Sequence, residues 1–125
     1  PGFEYMPMDA LLARADILTL HCPSTGTGKP LLDAAAFARI RKNVLLVNTA
    51  RADLVDTEAL LAALEQGRVA GAAFDVFDPE PPVDHPLVRH PRVIATPHIG
   101  GFTTESVDRA MQGAVDNLIA FLGNA

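Results

Sequence analysis

The chain has 125 residues, enough for one domain or part of one, and 49% of them are hydrophobic, ample for a core. Its formal charge of −5 gives no basic footprint for nucleic acid, and its apolar runs fall far below the roughly 18 residues of a membrane-spanning helix. The lone Cys22 excludes an internal disulfide, and no basic, apolar signal segment opens the sequence, so a cytoplasmic setting is expected. The first residue is Pro1 rather than methionine, which predicts a processed chain or a piece of a longer one.

In chain order, residues 3–6 are expected to form a short strand and residues 11–15 a short helix. Ile17–Leu20 is the first of four apolar runs that read as buried parallel strands; the others are 44–47, 72–76 and Val93–Ala95. Residues 33–40 are alanine-rich and of helical composition. Asp56 and Glu58 place negative charge on the first turn of another helix, whose buried face is Leu60, Leu61 and Leu64 and whose stop is Gly67. This alternation predicts an α/β fold with a parallel sheet and right-handed crossovers. Residues 78–92 break it: Pro79, Pro81, Pro82, Pro86 and Pro91 make an ordered loop the natural reading, with His85 and His90 at its surface. Residues 104–122 carry Val107, Met111, Ala114, Leu118 and Leu122 at helical spacing, an amphipathic helix that packs either on its own sheet or on a neighbouring domain. No G-x-G-x-x-G follows a strand; Ser24-Thr25-Gly26-Thr27-Gly28 lacks the third glycine and reads as a polar loop.

Three short segments end apolar runs and would crown the sheet's carboxyl edge, where ligands bind in open α/β sheets. Arg51, behind Asn48, offers a planar fork matched to a carboxylate, unless it pairs with Asp53 or Asp56 at the surface. Glu80, between Pro79 and Pro81, is a stiffly held carboxylate or else a solvated acid. His98 is placed to exchange a proton with a hydroxyl as hydride leaves the same carbon, or else caps the final helix. Gly100 and Gly101 remove bulk beside a flat ligand. Asp75, within an apolar run, needs hydrogen bonds from backbone amides or from a ligand. His21 and Cys22 line a ligand edge or pack in a turn. No pair among His21, Cys22, Asp75 and His98 has zinc-motif spacing, so no metal is expected.

Read together, these segments resemble the nicotinamide-binding domain of the D-2-hydroxyacid dehydrogenases, the phosphoglycerate dehydrogenase-like family. The resemblance runs through Ala15-Asp16-Ile17-Leu18-Thr19-Leu20-His21-Cys22-Pro23, Asn48-Thr49-Ala50-Arg51, and Gly67-Arg68-Val69-Ala70-Gly71-Ala72-Ala73-Phe74-Asp75-Val76-Phe77 with Pro79-Glu80-Pro81-Pro82. It closes with Thr96-Pro97-His98-Ile99-Gly100-Gly101. It implies that Arg51 holds the substrate's carboxylate and carbonyl, that His98 is the acid/base, and that Glu80 hydrogen-bonds to His98 and supports its basicity. It also implies that Asp75 contacts the nicotinamide amide. The turn His21, Cys22 and Pro23, with Thr49, Ala50 and Arg51, would pass along the cofactor, and His98, Ile99, Gly100 and Gly101 would close over its nicotinamide end. The cofactor expected is NAD, with NADP left open because the ribose-reading residue is not in this sequence.

The implied fold is an incomplete Rossmann-type parallel sheet with flanking helices, lacking its first two strands and glycine fingerprint. On that alignment residues 3–6 are the third strand, residues 1–103 are part of the dinucleotide domain, and residues 104–125 are a helix that packs on the substrate domain. The family has glycine where this chain has Ala52, a strained choice only if the backbone there is left-handed. The implied activity is reversible oxidation of a small 2-hydroxy acid to a 2-oxo acid, with no nucleic-acid or membrane partner. The apolar edge at Ile17–Leu20 makes self-association, as a homodimer, the expected assembly. The contrasting expectation is an inactive remnant, or a dinucleotide-sensing or assembly module without turnover, as in the family's transcriptional corepressors.

Overall fold

The computed structural model describes residues 2–123 and centres on four parallel strands laid side by side in chain order. They are β1 (Ile17–Leu20), β2 (Val44–Asn48), β3 (Val69–Phe74) and β4 (Val93–Ala95). The ladders finish flush: Leu20 pairs with Asn48, Asn48 with Phe74, and Phe74 with Ala95. The residues that follow, His21, Thr49, Asp75 and Thr96, therefore share one rim.

Three helices precede and connect the first strands: α1 (Met8–Arg14), α2 (Ala34–Arg39) and α3 (Thr57–Glu65). Each crossover helix begins on an aspartate that satisfies an orphan amide. Asp33 accepts the Ala36 N–H at 2.8 Å, and Asp56 the Ala59 N–H at 2.9 Å. Gly67, at φ +67°, ends α3 in the left-handed conformation, with Gly67 and Arg68 N–H groups returning to the carbonyls of Leu64 and Ala63. The core lies between these helices and one sheet face, where Leu18, Val44, Leu46, Leu60, Leu64, Val69 and Phe74 are all buried.

The other face differs from the expectation of strands buried on both sides. Ile17, Leu45 and Ile94 point there and stay 62%, 47% and 70% exposed. The reason is topological. Successive crossovers of one hand between sequential neighbours leave their helices on the same face. The strands are thus composed for a sheet covered twice, and the described residues cover it once.

The long helix α4 (Thr104–Gly123) buries none of its residues. Val107, Met111, Leu118 and Leu122 remain exposed along it, so the stripe is not spent on the chain's own sheet. Four other expectations need correction. Residues 3–6 form no strand, because no neighbouring strand offers them a ladder and Pro7 has no N–H to give; Phe3 and Tyr5 are 81% and 88% exposed. The helix expected at 11–15 begins at Met8, directly after Pro7. β3 starts at Val69 and ends at Phe74, since its pairing begins opposite Val44, so Asp75 sits just past the strand. His85 and His90 are partly buried rather than surface residues: His85 lies edge-on to Phe77, and His90 Nε2 reaches Glu65 at 3.3 Å.

Candidate active site

The rim is shaped first by Asn48, a fully buried amide at the tip of β2. Its Oδ1 accepts the Ala50 N–H at 3.1 Å and its Nδ2 donates to the Arg51 carbonyl at 2.9 Å. Both ends of one side chain thus fold residues 49–51 across the sheet edge and fix where Arg51 leaves it. A 3-10 turn, Ala52–Leu54, follows in right-handed geometry, so alanine at position 52 carries no left-handed strain. The Arg51 guanidinium makes no ion pair among the described residues. Its Nη1 donates to the Ala50 carbonyl at 2.6 Å, while Asp53 accepts the Ser24 hydroxyl at 2.9 Å and Asp56 caps α3. The surface pairings open to Arg51 in the sequence are therefore absent.

Glu80 is not a free acid in its proline-rich loop. Its Oε1 accepts the Phe77 N–H at 2.9 Å, and its Oε2 lies 2.8 Å from His98 Nδ1. The Phe77 N–H first, and then the His98 hydrogen bond and charge, hold the Glu80 carboxyl below the usual glutamate range, against desolvation and the charge of Asp75. An ionised carboxylate can only accept, so Nδ1 of His98 carries the ring proton and donates to Glu80. Nε2 is left as the lone-pair atom, which is the state a general base needs.

His98 does not cap α4. Thr103 does, its hydroxyl accepting the Ser106 N–H at 3.1 Å. His98 instead stands at φ +55°, in the left-handed region that side chains other than glycine rarely occupy. The backbone is held there by Asp75, 5% exposed, whose carboxylate accepts from residues on both sides of His98. Oδ1 takes the Thr96 hydroxyl and the Ile99 N–H at 2.9 Å; Oδ2 takes the Gly100 N–H at 2.8 Å. Burial pushes the Asp75 carboxyl up, but these three bonds, with the charge of His98, outweigh it and hold it below the usual aspartate range. Gly100 answers to the same latch: a Cβ there would come 3.0 Å from Asp75 Oδ2. A side chain there would crowd Asp75, which would have to give by a few tenths of an ångström whether or not a flat ligand also approaches.

Arg51, Glu80 and His98 line one open cleft of about 370 Å³, with Asp53, Phe77 and Asp78 among its other walls. The remaining rim residues lie where the flush ladders put them. His21, whose Nε2 is 2.9 Å from Thr19 Oγ1, is exposed with Pro23, Thr49, Ile99 and Gly101, while Cys22 and Ala50 are half-buried. Asn48, Phe77 and Thr96 stand in the sequence only as members of the motif segments, with no role of their own assigned to them. Of the three only Asn48 carried a signal, an amide ending an apolar run. Among the described residues no helix is long and apolar enough to cross a membrane, and no three His, Cys, Asp or Glu side chains gather as metal ligands.

A parallel α/β sheet carrying a guanidinium and a carboxylate-held imidazole on its carboxyl rim is of the Rossmann-like class, in which that edge is where ligands bind. Residues 1–100 match the family model of the D-isomer specific 2-hydroxyacid dehydrogenase, NAD binding domain. The chain belongs to that family. It is 50% identical over 105 residues to D-3-phosphoglycerate dehydrogenase of Bacillus subtilis (strain 168), covering 84% of this chain and 20% of that protein. It is 42% identical over 123 residues to glyoxylate reductase of Thermofilum pendens, covering 98% of this chain and 36% of that protein. Among solved structures, D-lactate dehydrogenase from Aquifex aeolicus complexed with NAD and lactic acid superposes with a TM-score of 0.86 at 30% identity, over 97% of this chain and 41% of that one. The chain thus spans between 20% and 36% of these two curated relatives.

Proposed function

We propose that this chain supplies the proton-transfer and nicotinamide-facing part of an NAD-dependent D-2-hydroxyacid dehydrogenase, which interconverts a small 2-hydroxy acid and its 2-oxo acid. The observation that carries the reading is the convergence of Arg51 and the Glu80–His98 pair on one cleft. In this reading the Arg51 fork binds the substrate carboxylate and draws charge toward the neighbouring carbonyl. His98 Nε2 takes the hydroxyl proton in oxidation and returns it in reduction, while Glu80 holds Nδ1 and stabilises the imidazolium that forms. NAD, when bound, supplies the hydride chemistry at C2. The rim fits its carboxamide end: Asp75 Oδ2 accepts one protein hydrogen bond and keeps capacity for another. His21, Cys22, Pro23, Thr49, Ala50 and Arg51 would flank the cofactor, and His98, Ile99, Gly100 and Gly101 would close over it. An intact Arg51, Glu80 and His98 set speaks against an inactive remnant.

In the full-length enzyme, Arg51→Lys should raise KM for the 2-oxo acid and lower kcat/KM, because an ammonium cannot reproduce the bidentate fork. Unchanged KM and kcat would refute the role of Arg51.

We further infer that residues 1–103 are part of a dinucleotide domain and that residues 104–125 belong with a substrate domain on which α4 packs, in a cytoplasmic homodimer. The bare sheet face, the unburied α4 and the share of the relatives that is matched support this division. Without a phosphate-gripping turn, the 125 residues alone should bind NADH weakly or not at all by calorimetry and show no NADH-dependent turnover. Robust turnover by this chain would overturn the division. Its open β1 edge and uncovered apolar face should make the isolated chain self-associate in sedimentation velocity. A clean monomer at high micromolar concentration would contradict that.

A further inference from the structure

The carboxylate that holds His98 is itself aimed by a backbone amide, and that amide belongs to a residue fixed by its ring. Phe77 is 7% exposed and lies between Phe74, with ring centroids 6.3 Å apart, and His85, edge-on at 5.3 Å and 69°. Its N–H donates to Glu80 Oε1 at 2.9 Å, so the residue whose ring is packed here also aims the carboxylate. Phe74 is pinned in the sheet. His85 comes from the proline-rich loop and is anchored twice: its N–H donates to the Pro82 carbonyl at 3.3 Å, and its Nδ1 accepts the N–H of buried Leu87 at 3.3 Å. An accepting Nδ1 leaves the ring proton on Nε2 of a neutral imidazole. Burial favours that neutral form by pushing the His85 pKa down.

Phe77 also walls a second cavity, of about 230 Å³, which contains His85 and Leu87 but none of Arg51, Glu80 or His98. Without the imidazole the open volume beside the Phe77 ring would be larger. We propose that His85 is a positioning residue of the acid/base pair, bracing the Phe77 ring and thereby the amide that points Glu80 at His98. The proposal rests on Glu80 and His98 acting as that pair, but its test needs no turnover, so its failure leaves the dehydrogenase reading standing.

The test is the carboxyl titration of Glu80, followed by carbon NMR in the full-length enzyme labelled at glutamate and assigned with Glu80→Gln, for His85→Leu and His85→Phe. Leucine fills the volume without a ring; phenylalanine keeps a ring at the brace. The Glu80 midpoint should rise toward the usual glutamate range in His85→Leu and stay low in His85→Phe. A merely structural role would move melting temperature without separating the two midpoints. Equal midpoints in the two variants, whether both low or both raised, would overturn the proposal. If His85→Leu loses its native far-UV spectrum, His85→Gln, which keeps an acceptor for Leu87 but no ring, makes the same comparison with phenylalanine.

Discussion

Replacing His98 by alanine in the full-length enzyme is expected to lower kcat by about 10²–10⁴-fold, the usual worth of a positioned general acid/base. The expectation is sharper than one drawn from a histidine motif, because the tautomer is set by the structure. Glu80 is held ionised by the Phe77 amide and by His98, which commits Nδ1 to donating and Nε2 to exchanging the proton. The side chain is exposed rather than part of the packed core, so its removal should leave far-UV dichroism near native. Steady-state NADH absorbance at saturating substrate measures the effect. A variant within about threefold of native turnover, far less than a lost general base removes, would take the proton-transfer role away from His98.

Asp75→Ala is expected to destabilise the fold by roughly 1–3 kcal/mol in all, the order of a lost hydrogen bond to a charged group, because water can reach the freed donors. Ile99 and Gly100 N–H groups and the Thr96 hydroxyl all converge on this one carboxylate. Losing it also releases the left-handed backbone at His98, so activity in the full-length enzyme should fall with stability. The pH dependence has a definite sign. A carboxyl held below its unfolded value, about 3.9 for aspartate, contributes fully above that value and loses its contribution as pH falls through the lowered one. The gap in urea midpoint between native chain and Asp75→Ala should therefore be widest near neutrality and shrink in strong acid. Equal midpoints at pH 7 would mean that the latch contributes nothing.

The layout of strands was legible because parallel strands announce themselves as short apolar runs, and because Asp33, Asp56 and Gly67 carry the capping chemistry that brackets helices. Arg51, Glu80 and His98 were legible as single residues at strand ends, and family resemblance tied them together. Other features were not. The alternating burial of β1 and β2 depends on which layers are present, which Val44-Leu45-Leu46-Val47 cannot encode. His85 resembled any loop histidine until its ring was seen against Phe77. Gly100 suggested room for a ligand, whereas the nearer constraint is an aspartate 25 residues earlier in sequence. Such contacts join a proline-rich loop to strand ends, and no local pattern records them.

The flush ending of the four ladders has a mechanical consequence. Each strand acts as a ruler: Arg51 and His98 stand a fixed number of residues beyond Asn48 and Ala95, which share one row with Phe74. Adding or deleting one residue inside β2 would turn its inward side chains outward and displace the arginine by about 3.3 Å along the strand. Insertions beyond Arg51 or beyond Gly101 would leave that spacing untouched. Variation in length is therefore tolerable in the connections past those residues and ruinous both in the strands and in the short latched segments that follow them.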